Sequence, residues 1–342
     1  MPLLGQRYKK SHRVHQRSLL SALALGSIKR VDDEVEGDRY RFESCTCFCE
    51  SVQQDLVAEI DRYGNDYSLV ICKNCGLMRA NPRWTKKSYD DFYADEYRIL
   101  YGDIGLDFDR LYRGRIQKDT EVYDFIIRHA RLPSRALVVD IGCGMGTILI
   151  PFHHHGHDVM GVDYGKEFIR YGREKFGLNL QEGGTDQLKK NDRRADCVIL
   201  HHVFEHMIDL RSELENIRQM TTDDAYIYIA VPGTFWWFEH VGHGNILAAL
   251  QNAHVWQFSL ETLRYVMETN GWKMITGTEE IVAIFQKNPS VRRDLRDVPR
   301  GEYVKTIDYL KRLECSYLPR YYLVRVLEKL GVKSVIKRFL RR

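Results

Sequence analysis

The stretch Leu137-Val138-Val139-Asp140-Ile141-Gly142-Cys143-Gly144-Met145-Gly146-Thr147 decides how this chain is read. A short β-branched run ends in a carboxylate, three glycines follow at alternate positions, and an apolar run (Ile148, Leu149, Ile150) resumes. Strands buried on both faces read as continuous apolar runs, and glycine lets the backbone turn sharply and come close to a ligand. The pattern predicts a buried parallel strand, a ligand-contacting turn and the start of a helix. Its spacing is Gly-x-Gly-x-Gly. The dinucleotide fingerprint is Gly-x-Gly-x-x-Gly, in which the last glycine lets helix and strand pack closely over a pyrophosphate.

Downstream, strand and helix alternate, which predicts an α/β domain built on a parallel sheet. A helix is expected over residues 147–156 and a second strand over 157–162, ending in Asp163. An acid at the end of the second strand, about 20 positions past a glycine loop, is placed to accept both ribose hydroxyls of an adenosine cofactor. A helix over 167–176 and a third strand at 178–180 lead to Gly183-Gly184-Thr185-Asp186. The fourth strand, 195–200, runs into His201-His202-Val203-Phe204-Glu205-His206, and another strand is expected over 225–232.

With its acid two positions before the first glycine, the opening loop resembles motif I of class I S-adenosylmethionine-dependent methyltransferases. The pattern Asp-x-Val-x-Leu-x-His-Val-x-Glu-His-x-x-Asp from Asp196 resembles the region after motif IV, and Asn252-Ala253-His254-Val255-Trp256-Gln257-Phe258-Ser259 with the helix after it resembles the segment before the last hairpin. Together with the N-terminal cysteines and Cys72-Lys73-Asn74-Cys75-Gly76-Leu77-Met78, the chain resembles a bacterial subgroup with an N-terminal zinc ribbon, often associated with sugar and surface-polysaccharide biosynthesis. The resemblance implies a Rossmann-like seven-stranded methyltransferase sheet. It places Asp140, Gly142, Gly144, Gly146 and His201 around the cofactor, Asp163 on the ribose, and Thr185 and Asp186 beside the adenine.

Cys45, Cys47 and Cys49 precede a hairpin expected around residues 61–66, after which Cys72 and Cys75 form a Cys-x-x-Cys-Gly knuckle. Thiolates bind Zn²⁺ strongly, and two such knuckles predict a tetrahedral structural zinc site. The first knuckle is irregular, so Cys49 is expected to ligate with either Cys45 or Cys47. Residues 86–131 read as helical, and the aromatic stretch from Tyr89 to Tyr101 reads as a packing helix in preference to a substrate-facing one.

Methyl transfer to a hydroxyl needs a base, and imidazole is the side chain best suited to accept that proton at neutral pH. His254 is the first candidate, followed by His202 and Glu205, with His206, His240 and His243 behind them. Glu205 and His206 could equally cap the following helix. A Glu-x-x-Glu-His motif at this place binds a divalent ion in some quinone and RNA methyltransferases; here His202 replaces the first glutamate, which moves preference away from Mg²⁺. The run His153-His154-His155-Gly156-His157 reads as solvated imidazoles at a helix end. The aromatic stretch 233–240 reads as a loop that could stack on sugar faces, cover the cofactor or form a dimer contact.

The chain has 342 residues and a net charge of +4, distributed unevenly. Residues 1–30 carry seven basic side chains and no acid, and residues 320–342 carry eight against one, so the body between is acidic. An acidic body argues against nucleic acid as a partner, since phosphate neutralisation dominates such binding. No apolar run approaches the roughly 18–20 residues of a membrane span, and a cytoplasmic protein is expected. The basic, apolar-striped tail (Leu323, Val326, Leu327, Leu330) suits either an anionic membrane surface or docking on its own domain. The expected organisation is a basic N-terminal arm (1–41) with a helix at 18–25, a zinc ribbon (42–85), a helical linker (86–131), a methyltransferase domain (132–286) and a helical tail (287–342). The expected activity is methyl transfer to a hydroxyl of a nucleotide-linked or glycan sugar. C-methylation of a nucleotide-linked keto-sugar and a non-catalytic cofactor-binding role are the alternatives, and the sequence leaves the oligomeric state open.

Overall fold

The computed structural model describes residues 2–13, 22–101, 107–188, 193–288, 290–291 and 293–330. Five strands precede the long central helices: β1 (Phe42–Glu43), β2 (Gln54–Ile60), β3 (Asp66–Cys72), β4 (Met78–Ala80) and β5 (Arg83–Trp84). Eight follow: β6 (Leu137–Ile141), β7 (Asp158–Asp163), β8 (Leu180–Glu182), β9 (Ala195–His201), β10 (Thr221–Ala230), β11 (Trp256–Gln257), β12 (Trp272–Gly277) and β13 (Val282–Lys287). The main sheet has seven strands in the order β12-β13-β10-β9-β6-β7-β8. From β10 to β8 all neighbours are parallel, while β13 runs antiparallel to both β10 and β12. This is the Rossmann-like methyltransferase sheet that the sequence implied.

Every residue of β6 is buried, as its unbroken apolar run requires. Its alternate side chains enter different cores. Leu137, Val139 and Ile141 join the helix Leu210–Gln219 through Leu210, Leu214 and Ile217, whereas Val138 faces Val122 and Ile126 of the helix Phe108–His129 and Phe152 of the helix Leu149–His154. The chain passes from β6 to β7 on one side and reaches β9 on the other, which opens a crevice at the carboxyl ends of β6 and β9. The third strand starts two residues later than expected. Gly177 ends the preceding helix in the left-handed region at φ 66°, and pairing begins only where Leu180 meets Gly161 of β7.

A second sheet has the order β11-β4-β3-β2. β2 to β4 come from the cysteine-rich segment, but β11 comes from beyond β10 and pairs with β4 through Trp256↔Arg79 and Gln257↔Met78. The two parts therefore share a sheet.

The N-terminal stretch, expected as a loose arm, is packed. Arg7 donates twice to the Glu314 carboxylate, at 2.8 and 2.9 Å, and once to Asn245 Oδ1 at 2.6 Å; Tyr8 donates to the same carboxylate. The cations of this arm were legible, but their acidic partners are distant: Glu314 for Arg7 lies 307 positions away and Asp66 for Lys10 and Arg13 lies 56 and 53 away, where no local pattern announces them. Part of the helix expected at 18–25 falls at positions outside the described residues; the helix described here spans Ala22–Glu36 and is tied to Glu96 through Ser27 and Arg30. The last helix, Glu302–Lys329, buries Ile307, Leu310 and Glu314.

Candidate active site

The glycine loop turns as its spacing requires. Gly142, Gly144 and Gly146 all have positive φ (75°, 53° and 75°). A Cβ on Gly142 would lie 2.3 Å from Val203 Cγ2, so the loop after β6 and the loop after β9 are in contact at that point. Asp140 is 1 % exposed and its Oδ2 has no hydrogen-bond partner. Burial, then the neighbouring carboxylates of Asp163 and Asp119, hold its carboxyl well above the usual range. A buried, unpaired carboxyl in this state favours a cation that comes to share its cavity.

Asp163 closes β7 and accepts from two backbone amides, Gly144 N at 2.9 Å and Gly165 N at 2.6 Å. The second strand and the glycine loop are thus held in register by one side chain. Thr185 and Asp186 lie on the short helix Thr185–Leu188; Thr185 donates to Glu213, and Asp186 is exposed and accepts from Gln187. His201 ends β9 with its ring parallel to Tyr228 and its Nδ1 buried without a partner. Burial, with a smaller push from His202, brings it down to about 3.

Beyond β9 the chain folds Glu205, His206 and His254 onto one point, with one ligand atom from each within 4.8 Å of the others. Glu205 is 2 % exposed and neither of its oxygens has a hydrogen-bond partner; His202 Nδ1 lies 3.5 Å and His206 Nε2 3.8 Å from Oε1. Burial pushes this carboxyl up, but the imidazoles of His206, His202 and His254 outweigh it and bring it to about 2. His254 is 4 % exposed and is driven down to about 3, first by burial and then by His206. It is therefore a neutral imidazole at neutral pH. His206 Nδ1 lies 2.8 Å from the Ala253 carbonyl, which can only accept, so Nδ1 carries the hydrogen and Nε2 is the nitrogen that faces Glu205. His202 is exposed at its ring and adopts φ 56°, an uncommon conformation for a non-glycine residue beside a crevice.

The elements around β11 hold this cluster. Tyr67 of β3 donates to the His254 carbonyl at 2.8 Å, Val255 O accepts from Ala80 N at 2.9 Å, and Trp256 Nε1 donates to Met207 O at 2.7 Å. Tyr93, on the helix Lys86–Asp95, brings its hydroxyl within 2.9 Å of His206 Nδ1. The aromatic stretch read as pure packing thus also reaches the candidate site. Tyr67, Tyr93 and Asp119 were missed because only chain folding brings them there. The spacing Tyr89-Tyr93-Tyr97 on one helix face was the available signal for Tyr93.

Residues 233–240 are not a loop. Thr234–His240 is a helix, started by Gly233 and anchored where Thr234 N and Oγ1 both donate to Phe258 O at 2.8 Å. Phe238 is core and Phe235 packs edge-on against Tyr309 at 5.0 Å, so half of the aromatic surface is interior. Trp237 remains at the crevice, 6.2 Å from the His202 ring. His240 ends that helix and His243 sits on the turn after it; both are exposed, and neither belongs to the Glu205–His206–His254 group. His153, His154 and His155 are exposed at the end of the helix Leu149–His154, before Gly156 at φ 81°.

At the other end of the cysteine sheet, Cys47, Cys49, Cys72 and Cys75 converge, with Sγ···Sγ distances of 3.5 Å for Cys47 to Cys75 and 3.6 Å for Cys49 to Cys72. Bonds of about 2.3 Å to a tetrahedral zinc imply an edge of about 3.8 Å, which four thiolates in this arrangement can provide. Cys45 is outside the set. Its Sγ points to the Ala80 carbonyl at 3.5 Å and its amide donates to Asn81 Oδ1, which turns it toward β4 and away from the other four.

The methyltransferase domain family matches residues 112–276. Among curated proteins, the chain is 21 % identical to the C-methyltransferase NovU of Streptomyces niveus over 60 % of this chain and 46 % of that protein. It is 22 % identical to the ubiquinone biosynthesis O-methyltransferase of Pelagibacter ubique over 52 % of this chain and 70 % of that one. It therefore spans about half the length of the first of these relatives. Among solved structures, a SAM-dependent methyltransferase from Archaeoglobus fulgidus is 24 % identical, with a TM-score of 0.39, covering 48 % of this chain and 73 % of that one.

Proposed function

The chain carries an S-adenosylmethionine-dependent methyltransferase domain, and from that premise we propose that it methylates a hydroxyl group of a sugar, nucleotide-linked or within a glycan. The observation that carries this reading is the neutral, buried His254 gathered with Glu205 and His206 at the crevice between β6 and β9. When bound, S-adenosylmethionine supplies a methyl group activated by its sulfonium charge. The chain's residues fit it. Asp140 offers a buried carboxyl oxygen without a partner, Gly144 leaves open space at its Cα for close approach, and Asp163 ends β7, where a ribose would meet it.

The remaining chemistry belongs to the protein. His254, kept neutral, accepts the acceptor's hydroxyl proton as the new bond forms; the burial that keeps it neutral also lowers its basicity, so its contribution falls at the low end of general-base catalysis, about 10²-fold or less. Glu205 stays ionised beside it and stabilises positive charge on the neighbouring imidazoles. His206 holds the Ala253 carbonyl and the Tyr93 hydroxyl at Nδ1 and turns Nε2 toward Glu205. Trp237 at the mouth offers a flat apolar face to a sugar ring. We further propose that Cys47, Cys49, Cys72 and Cys75 hold a structural zinc ion, which fixes β4 and, through it, β11 and His254.

A second reading, C-methylation, is favoured by the similarity to NovU. It would use the same base to remove a proton from carbon. NMR of the methylated product separates the two, because an O-methyl and a C-methyl carbon differ in their bonded atom. His254→Ala is expected to abolish turnover while calorimetry shows S-adenosylmethionine affinity within about threefold of the parent. Normal turnover in that variant would remove His254 as base, and tight NAD binding by the parent would overturn the cofactor assignment.

A further inference from the structure

The last helix, Glu302–Lys329, behaves as two halves. Up to Glu314 it is built into the body: Ile307 and Leu310 are buried, Tyr309 donates to Phe235 O, and Glu314 takes Arg7 and Tyr8. Beyond Glu314 no described side chain of the helix is buried. One face of this second half still has a hold on the body. The Arg7 guanidinium lies over the rings of Tyr317 and Tyr321, at 4.7 and 4.6 Å, and His12 meets Tyr321.

The opposite face carries Tyr322, Leu323, Val326 and Leu330, exposed at 61, 44, 53 and 69 %. Spaced at i, i+1, i+4 and i+8, they form one continuous apolar stripe on an α-helix. Arg320 and Arg325 lie at positions bordering that stripe. The sequence 320–342 contains eight Lys or Arg residues and one acid, while the body of the protein is acidic. An apolar helix face bordered by Arg320 and Arg325, in a segment whose sequence is rich in Lys and Arg, matches an anionic bilayer surface, where the stripe enters the acyl boundary and cations meet phosphate groups. No helix among the described residues is long and apolar enough to cross a membrane, so this contact lies on the surface.

We propose that the second half of this helix docks the protein on an anionic lipid surface. The first half is fastened to the helix Thr234–His240 beside the crevice, and the stripe follows on the same helix past Pro319, with Arg7 over Tyr317 and Tyr321 as its further tie to the body. The inference goes beyond the methyl-transfer reading and stands without it.

Flotation of the full chain with vesicles of equal parts phosphatidylglycerol and phosphatidylcholine tests the proposal. The parent is expected to float with these vesicles, to stay behind with phosphatidylcholine alone, and to lose binding as salt rises. Each cation near such a surface multiplies the binding constant about fivefold. Val326→Glu combined with Leu330→Glu is expected to cut bound protein at least about tenfold, with circular dichroism and S-adenosylmethionine affinity unchanged. A parent that fails to float on the anionic vesicles overturns the proposal, as does a double variant that floats as well as the parent. A concentration-dependent dimer in sedimentation, lost in the double variant, would instead assign the face to a second copy of the chain. Because flotation is independent of turnover, its failure and a failure of the methyl-transfer reading are separate results.

Discussion

Gly142 is the most tightly hemmed glycine of the loop after β6: at positive φ, a Cβ there would meet Val203 Cγ2 at 2.3 Å, against 2.9 Å to Leu180 for Gly146. Gly142→Ala is expected to destabilise the fold by about 1–3 kcal/mol and to weaken S-adenosylmethionine binding, read by thermal melting and calorimetry. Asp163→Ala should loosen cofactor binding further, since it removes the carboxylate proposed to meet the ribose together with the clamp on Gly144 and Gly165. The histidines give a pH signature. His201 and His254 are held down to about 3 in the folded protein, against about 6.5 when exposed. Below pH 6.5 the unfolded chain binds protons that the folded one refuses, so stability falls as pH drops from about 6.5 toward 3, by about 1.4 kcal/mol per pH unit for each histidine. Denaturant midpoints between pH 7 and 4.5 measure this slope, and His254→Gln should remove about half of it.

Among the elements, β6, β7 and β9 were legible in the sequence because each is an apolar run that ends in a polar residue at the crevice, so periodicity and function coincide there. The same local logic exposed the glycine turn, Asp163 and the Glu205-His206 pair. β11 was not legible. Two residues long, it owes its existence to β4, which is about 175 positions earlier, and no local pattern encodes such a partner. The helix Thr234–His240 was misread for a related reason: its aromatic side chains looked like a binding surface until Phe235 and Phe238 found packing partners far along the chain. Cys45 shows the limit of spacing arguments, since any two of three alternating cysteines could have been chosen and only the turn toward Asn81 decides. Metal analysis is expected to find about one zinc per chain. Serine at Cys47, Cys49, Cys72 or Cys75 should lose it and lower turnover, whereas Cys45→Ser should keep both.

At the scale of the whole molecule, the Arg7–Glu314 pair joins the first residues to the last helix in a nearly dry setting. Removing one partner of such a pair leaves the other charge buried, so Arg7→Met is expected to cost about 3–5 kcal/mol, measured by denaturant unfolding. Replacing Arg7 and Glu314 together by apolar residues should cost much less. The shared sheet has a consequence for modularity. Because β11 is lent to the cysteine sheet and returns directly into the helix Leu260–Thr269, the segment carrying His254 is laid down on a foundation that belongs to another part of the chain. A domain excised at residue 132 would keep the glycine loop and lose the sheet that supports the segment carrying His254, the base proposed above. Exchanging cysteine modules between relatives would then replace the strand on which the His254 segment rests, so that what looks like an appendage carries the footing of the proposed base with it.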